Sequence, residues 1–162
     1  MRGVLATFAL IASSAIAADA PRSCPVTQPQ AQPFVPPAPY KPVPAYNRFY
    51  LGSDKLWTEL PRDGVWGQLP RIQSGYSQKL VWWREGLDWR DWIHEPTAGL
   101  VVTSKRLDDP DAKTYTWTRA NVSFIQNESF IVSGVALPTA GCWQITGDLK
   151  GEKLTFVVWV LT

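Results

Sequence analysis

The sequence predicts an all-β sandwich, and three observations carry this prediction. Residues 152–161 alternate along the chain and place apolar side chains on both faces, which is typical of a central strand. Residues 142–146 alternate cleanly, and we expect Trp143 and Ile145 to face the core. No stretch repeats its apolar residues with the period of a long amphipathic helix. Strands rather than helices should therefore build the fold.

The remaining strands are predicted from shorter segments that proline and glycine separate. They span residues 55–60, 78–83, 100–107, 115–124 and 129–137. Residues 147–151 have the length and glycine content of a hairpin loop. About seven short strands at such intervals indicate an immunoglobulin-like antiparallel β-sandwich.

The N-terminus predicts export. Arg2 supplies a positive charge, residues 4–17 are apolar and uncharged, and Ala15-Ile16-Ala17 gives the small-x-small pattern of a signal-peptidase site. We expect cleavage after Ala17; cleavage after Ala20 and an uncleaved N-terminal anchor are the alternatives. The mature chain has no other segment long and apolar enough to cross a membrane. The expected location is secreted, periplasmic or in the cell envelope.

Proline dominates the segment that follows, because nine of the fourteen prolines lie within residues 18–46. A fixed φ and a missing N–H keep such a stretch out of helices and sheets, so we expect an extended arm. The arm acts either as a free spacer or as a clasp on the domain. The predicted organisation is a signal peptide (1–17), a Pro-rich extended arm (18–46) and a β-sandwich domain (47–162).

Charge and composition argue against several partners and cofactors. The formal net charge of +2 is too small to indicate a nucleic-acid partner. Two distant cysteines and one histidine do not make a zinc set, and there is no glycine-rich phosphate loop. Residues 108–111 (DDPD) lack the spacing of a calcium loop and predict a β-turn. We therefore predict no metal, no cofactor and no nucleic-acid partner.

The two cysteines predict a disulfide. An oxidising destination makes Cys24 and Cys142 natural partners. If Trp143 faces inward, the Cys142 side chain emerges on the outer face of the sandwich, where an extended arm can reach it. Two free thiols are the alternative, with Cys142 as a small packing residue.

The stretch WWREGLDWRDW (residues 82–92) is the candidate ligand site. In one interpretation Trp82, Trp83, Trp89 and Trp92 form a stacking platform for a sugar, and the flanking polar residues, Arg84 and Arg90 among them, bind its hydroxyls. In the other, these indoles fill the core and pack under the arm. Alternation allows only one of the adjacent Trp82 and Trp83 to point inward. We also expect Trp89 or Trp92 to be more exposed than Trp143 and Trp159.

Catalysis has weak support in the sequence. His94 is the only histidine, and no GxSxG or comparable nucleophile turn exists. An acid pair for glycoside cleavage would have to come from Glu85, Asp88, Asp91 or Glu95. We predict no catalytic residue.

Short motifs follow one another along the chain in a recognisable order. They are CPVT (24–27), KLW (55–57), DGV (63–65), WWR (82–84), RLD (106–108), PTAGCWQITG (138–147) and LTFV (154–157). In this order they resemble a family of uncharacterised bacterial exported proteins with CPVT, LW, DGV, WWR, RLD and a closing PTxGCWExTG…LTFV. The chain departs from that pattern with Gln144 in place of Glu and with a more aromatic stretch after WWR. The resemblance implies an exported, β-rich, single-domain protein and carries over no activity.

The sequence thus predicts a non-catalytic exported binding or structural module of the bacterial cell envelope, with a Trp-rich surface as its possible ligand platform. The partner is undetermined; a glycan and an envelope protein are the candidates. The alternative is a carbohydrate-binding module or a small carbohydrate-active enzyme that uses acidic residues near Trp89 and Trp92.

Overall fold

A computed structural model describes residues 19–90 and 98–162. The predicted signal peptide and the residues Asp91, Trp92, His94 and Glu95 lie outside the described residues. Within the described ranges the regular elements are strands, and no helix there is long and apolar enough to cross a membrane. The strands are β1 (Arg48–Ser53), β2 (Leu56–Pro61), β3 (Val65–Trp66), β4 (Arg71–Ile72), β5 (Gly75–Trp83), β6 (Leu100–Arg106), β7 (Thr114–Trp117), β8 (Ala120–Ile125), β9 (Glu128–Leu137), β10 (Gly141–Leu149) and β11 (Glu152–Val160).

The strands form two sheets. The first has the order β1-β2-β5-β9-β8, with β4 also paired to β5, and the second has the order β3-β11-β10-β6-β7. All pairs are antiparallel except β3 with β11, which is parallel. The prediction of an all-β fold is confirmed, and the architecture is that of a β-sandwich.

The core lies between the two sheets and follows the alternation of the strands. Trp82 of the first sheet and Phe156 of the second meet with ring centroids 6.0 Å apart. The Trp82 indole N–H donates to Ser133 Oγ at 2.9 Å, which satisfies a polar group that is completely buried. Trp143 and Ile145 face the core as predicted, at 1% and 0% exposure. The cluster also holds inward residues from β1, β2, β6 and β9.

Two predicted boundaries were wrong. Residues 115–124 are not one strand: β7 pairs with β6, whereas β8 pairs with β9 in the other sheet. The chain changes sheets at Thr118 and Arg119, and alternation carries no signal for such a change. The predicted loop at residues 147–151 is shorter, because β10 continues to Leu149. Lys150 and Gly151 turn with φ of 54° and 97°, the positive values that a tight two-residue hairpin needs.

The N-terminal segment, residues 21–46, is fastened to the edge of the second sheet. The predicted disulfide is confirmed: Cys24 and Cys142 are bonded, with Cα atoms 5.5 Å apart. Three residues later the Thr27 N–H donates to Val157 O at 2.9 Å, and the Val157 N–H donates to Thr27 Oγ1 at 2.8 Å. Val26 packs on Gly64, where an added Cβ would lie 2.6 Å from the valine Cβ. A larger residue at Gly64 would therefore push the segment away.

An ion pair supports the chain beside the disulfide. Arg106 and Asp108 form a bidentate salt bridge, with Arg106 Nε 2.6 Å from Asp108 Oδ1 and Arg106 Nη2 3.1 Å from Asp108 Oδ2. Arg106 also donates to Thr139 Oγ1, and the Leu107 N–H donates to Cys142 O at 2.8 Å. Gly141 leaves room for this pair, because a Cβ there would lie 2.7 Å from Arg106 Nε.

Removal of the disulfide should lower the stability of the fold substantially. The bond joins residues 118 apart in sequence, and the chain-entropy model gives about 4–5 kcal/mol for closing so long a loop. We expect the double variant Cys24→Ser, Cys142→Ser to lose an amount of that order in urea unfolding followed by tryptophan fluorescence. A loss below about 1 kcal/mol would show that the bond contributes little to folding.

The Asp108 carboxylate should make stability depend on pH in the acid range. The hydrogen bond from Arg106, followed by one from the Cys142 backbone, holds the pKa of Asp108 below its usual 3.8. A depressed folded pKa means that the stabilisation is complete above the unfolded value and is lost as pH falls through the folded value. In urea unfolding at pH 6 and pH 3, Asp108→Asn should therefore lose less stability between the two pH values than the wild type. Asp111→Asn, in the same loop, is the control and should behave like the wild type.

Candidate functional site

Four aromatic side chains cluster on the side of the first sheet that faces away from the core, and we name this set the outer aromatic face. It consists of Tyr50, Trp57, Trp83 and Phe130. Trp57 and Trp83 stack with their planes 9° apart and centroids at 6.4 Å. Tyr50 and Phe130 contact Trp83 from either side, at 6.0 and 6.4 Å. Neighbouring strands thus contribute one continuous aromatic surface.

The N-terminal segment covers part of this face. Phe34 and Tyr40 contact Trp57 with ring centroids 5.5 and 4.9 Å away, and Tyr40 approaches it edge-on. Trp57 is only 1% exposed although it points away from the core. Burial, as the largest cause, raises the pKa of Tyr50 to about 12 and also raises the pKa of Tyr40, so both phenols are neutral at physiological pH. At Trp57, the outer aromatic face is a packed interior rather than an open ligand platform.

An open cleft of about 340 Å³ lies beside the covered part of the face, and we name it the Trp89 cleft. Three parts of the chain form its walls: the N-terminal segment, the loop after β5, and the hairpin between β8 and β9. The lining residues are Pro39, Tyr40, Gly86, Leu87, Asp88, Trp89, Arg90, Phe124, Asn127 and Ser129. The cleft therefore combines aromatic, amide, hydroxyl and charged groups.

Trp89 is the central aromatic group of this cleft. It is 38% exposed, and Phe124, itself 48% exposed, lies 6.1 Å from it. The Arg90 guanidinium lies over the indole at 5.2 Å from the ring centroid. The Trp89 backbone N–H donates to Ser129 Oγ at 3.1 Å, which connects the loop to the hairpin. Trp89 thus presents a partly exposed indole beside the Arg90 guanidinium, and an exposed indole is suited to stack on a flat ligand.

Asp88 and Arg90 form the charged part of the cleft. Asp88 accepts from the Arg90 N–H and from Arg90 Nη1, both at 2.9 Å. These bonds, the backbone one first, lower the pKa of Asp88, so it is an ionised hydrogen-bond acceptor. A general acid would need the opposite shift. Asp88 carries the one carboxylate among the described residues that line the cleft.

The structure separates the residues that the sequence grouped into one site. Trp82 is 0% exposed between the sheets, so it contributes nothing to a surface, and Trp83 belongs to the outer aromatic face. Arg84 accepts a hydrogen bond at its carbonyl and lines a different, charged cleft. Trp89 and Arg90 lie together in the Trp89 cleft. Trp92 lies outside the described residues.

The expected order of tryptophan exposure is confirmed for Trp89. Trp143 is 1% exposed and Trp159 is half-buried, whereas Trp89 is exposed. Tyr40, Phe124 and Asn127, which complete the cleft, were not predicted from the sequence as site residues. Asn127 had a signal of its own, because asparagine favours the left-handed conformation of a turn and its φ is 68°. The chain positions of Tyr40 and Phe124 gave no indication of their proximity to Trp89.

In residues 19–90 and 98–162, no three His, Cys, Asp or Glu side chains lie close enough together to hold a metal ion.

In comparisons with known proteins, no protein-family model, no curated protein and no solved structure matches the chain.

Selective oxidation should reveal which indoles are accessible. N-bromosuccinimide should oxidise Trp89 at a lower ratio of reagent to protein than Trp57, Trp82 and Trp143, because those three side chains are almost completely buried. Peptide mass spectrometry would identify the oxidised residues. Oxidation of Trp57 as early as Trp89 would mean that the N-terminal segment does not cover the outer aromatic face.

Proposed function

We propose that this protein is a non-catalytic, exported binding module of the bacterial cell envelope and that it takes a glycan in the Trp89 cleft. Export is supported by the apolar N-terminus with its small-x-small pattern and by the Cys24–Cys142 disulfide, a bond typical of oxidising compartments. The resemblance to bacterial exported proteins agrees with this location.

We further propose an immunoglobulin-like sandwich with a Pro-rich arm fastened to it. The order β2-β5-β9-β8 in one sheet corresponds to strands A, B, E and D of that fold, and the order β11-β10-β6 in the other corresponds to G, F and C. The arm's attachment through Cys24 and Thr27 favours the clasp over the free spacer. Immunoglobulin-like domains commonly bind through the loops at one end of the sandwich, and the loop after β5 is such a B–C loop.

The observation that carries the ligand class is the combination of groups around Trp89. A pyranose ring presents C–H groups on its faces and hydroxyls around its rim. The partly exposed indole can pack against the C–H groups. For the hydroxyls, Asp88 supplies a hydrogen-bond acceptor, Arg90 supplies donors, and the Asn127 amide supplies both. A volume of about 340 Å³ is near the lower end of the range of roughly 300–1,000 Å³ for small-molecule sites. A short stretch of a neutral glycan fits these properties.

Binding is favoured over hydrolysis because Asp88, the one carboxylate among the described lining residues, is held ionised and leaves the role of the general acid unfilled. Retaining and inverting glycosidases both need two carboxyl groups, one of them with a raised pKa. Asp88 is paired with Arg90 and its pKa is lowered. The rival function, a small carbohydrate-active enzyme, would require a second acid in the cleft, and Asp88 is the one carboxylate among the described lining residues.

Calorimetric titration of the intact protein tests the binding function. We would use chitotetraose, cellotetraose and maltotetraose as probes, and chromatography of the same mixtures would detect hydrolysis. For a saccharide that binds, Trp89→Ala should weaken the affinity at least about tenfold, because central aromatic anchors carry a large share of binding energy. Tyr46→Ala is the matched control, since Tyr46 is a fully exposed aromatic residue away from the cleft (99%).

Two results would contradict the proposal. One is unchanged affinity in Trp89→Ala, which would place binding elsewhere. The other is the absence of saturable binding by all three saccharides, which would leave a structural role. Release of shorter saccharides would instead establish the enzyme.

A further inference from the structure

The N-terminal segment connects the two other walls of the Trp89 cleft. The Tyr40 hydroxyl donates to Arg84 O at 2.7 Å, where the loop that carries Trp89 leaves β5. The next residue reaches the hairpin: the Lys41 N–H donates to Glu128 Oε1 at 3.0 Å, and Lys41 Nζ donates to Gln126 Oε1 at 3.2 Å. Two consecutive residues therefore hold both sides of the opening.

This connection is buried and packed at its centre, Tyr40. Tyr40 is 7% exposed, its ring packs edge-on against Trp57, and its N–H closes a turn to Pro37 O at 3.1 Å. Trp57 in turn stacks on Trp83, one residue before Arg84. The position of the Tyr40 hydroxyl is thus fixed by the outer aromatic face. The loop and the hairpin meet each other at the bond from Trp89 to Ser129, so Pro39–Lys41 completes a closed ring of contacts around the cleft.

We propose that Tyr40, which lines the third wall of the Trp89 cleft together with Pro39, is a positioning residue that sets the width of the cleft. The effect of Tyr40 on glycan affinity rests on the proposed glycan-binding function, whereas its effect on the position of Trp89 does not. The segment then has a role beyond clasping the domain: it orients Trp89 and limits which glycans fit between Trp89 and Tyr40. Tyr40→Phe tests the hydrogen bond from Tyr40 to Arg84, because this variant removes only the hydroxyl and keeps the ring on Trp57.

The hairpin side offers a second matched pair. Glu128→Ala removes the acceptor of the Lys41 N–H, whereas Glu128→Gln keeps an oxygen at that position. If the segment positions the cleft, Tyr40→Phe and Glu128→Ala should have the same effect on Trp89, and Glu128→Gln should restore the wild-type behaviour. A purely structural role would lower stability without this pattern.

The test is fluorine NMR of the intact, oxidised protein labelled with 5-fluorotryptophan, with the Trp89 signal assigned by Trp89→Phe. We expect Tyr40→Phe and Glu128→Ala to move or broaden the Trp89 resonance by more than its linewidth. The Trp143 resonance, assigned in the same way by Trp143→Phe, should stay in place, and Glu128→Gln should match the wild type. A Trp89 resonance unchanged in both Tyr40→Phe and Glu128→Ala would overturn the proposal.

Titration with the saccharide that binds best among the three probes tests the effect of Tyr40 on glycan affinity. Loss of one positioning hydrogen bond should weaken its affinity about fivefold to tenfold in Tyr40→Phe. Unchanged affinity there would overturn the specificity role of Tyr40. If the Trp89 resonance responds but none of the probes binds the wild type, the glycan function fails while the positioning role of the segment stands.

Discussion

The structure depends on an outward-facing tryptophan that has to be covered. Trp57 lies on β2 on the side away from the core, yet only 1% of it is exposed. A large aromatic side chain left in water would cost the fold the burial energy of its whole surface, on the order of a few kcal/mol. Phe34 and Tyr40 provide that cover. The same contact places Tyr40 in the wall of the Trp89 cleft, so the N-terminal segment both covers Trp57 and lines the cleft.

The N-terminal end of that segment is fixed where several of the quoted sequence motifs meet. CPVT supplies the cysteine, the valine that packs on Gly64 of DGV, and the threonine that pairs with Val157 of LTFV. The RLD and PTAGCW segments meet at the Arg106–Asp108 pair beside the bonded cysteine. Residues that are far apart in sequence thus form one attachment point. This arrangement gives the motifs a structural explanation, and the Trp89 cleft lies outside it.

The alternation of apolar and polar residues predicted most of the strands. It could not predict contacts between residues that are distant in sequence. The inward faces of β10 and β11, and the opposite directions of Trp82 and Trp83, follow from a period of two. The two-residue strands β3 and β4 are too short to show any period, and β1 was not recognised. The burial of Trp57 could not be predicted from its own strand, because the residues that cover it lie in the N-terminal segment. The Trp89 cleft joins residues up to 90 positions apart, from Pro39 to Ser129, and no spacing rule connects them.

We expect the N-terminal segment to be an integral part of the folded domain. Hydrogen exchange of the intact, oxidised protein at neutral pH tests it most directly, through the amides of Thr27, Tyr40 and Lys41, which donate to Val157, Pro37 and Glu128. These amides should exchange far more slowly than those of an unfolded peptide of the same sequence, because their hydrogen bonds must open first. Exchange at the rate of the unfolded peptide for all three would contradict it, since the segment would then be a free tail and the cleft would lack its third wall.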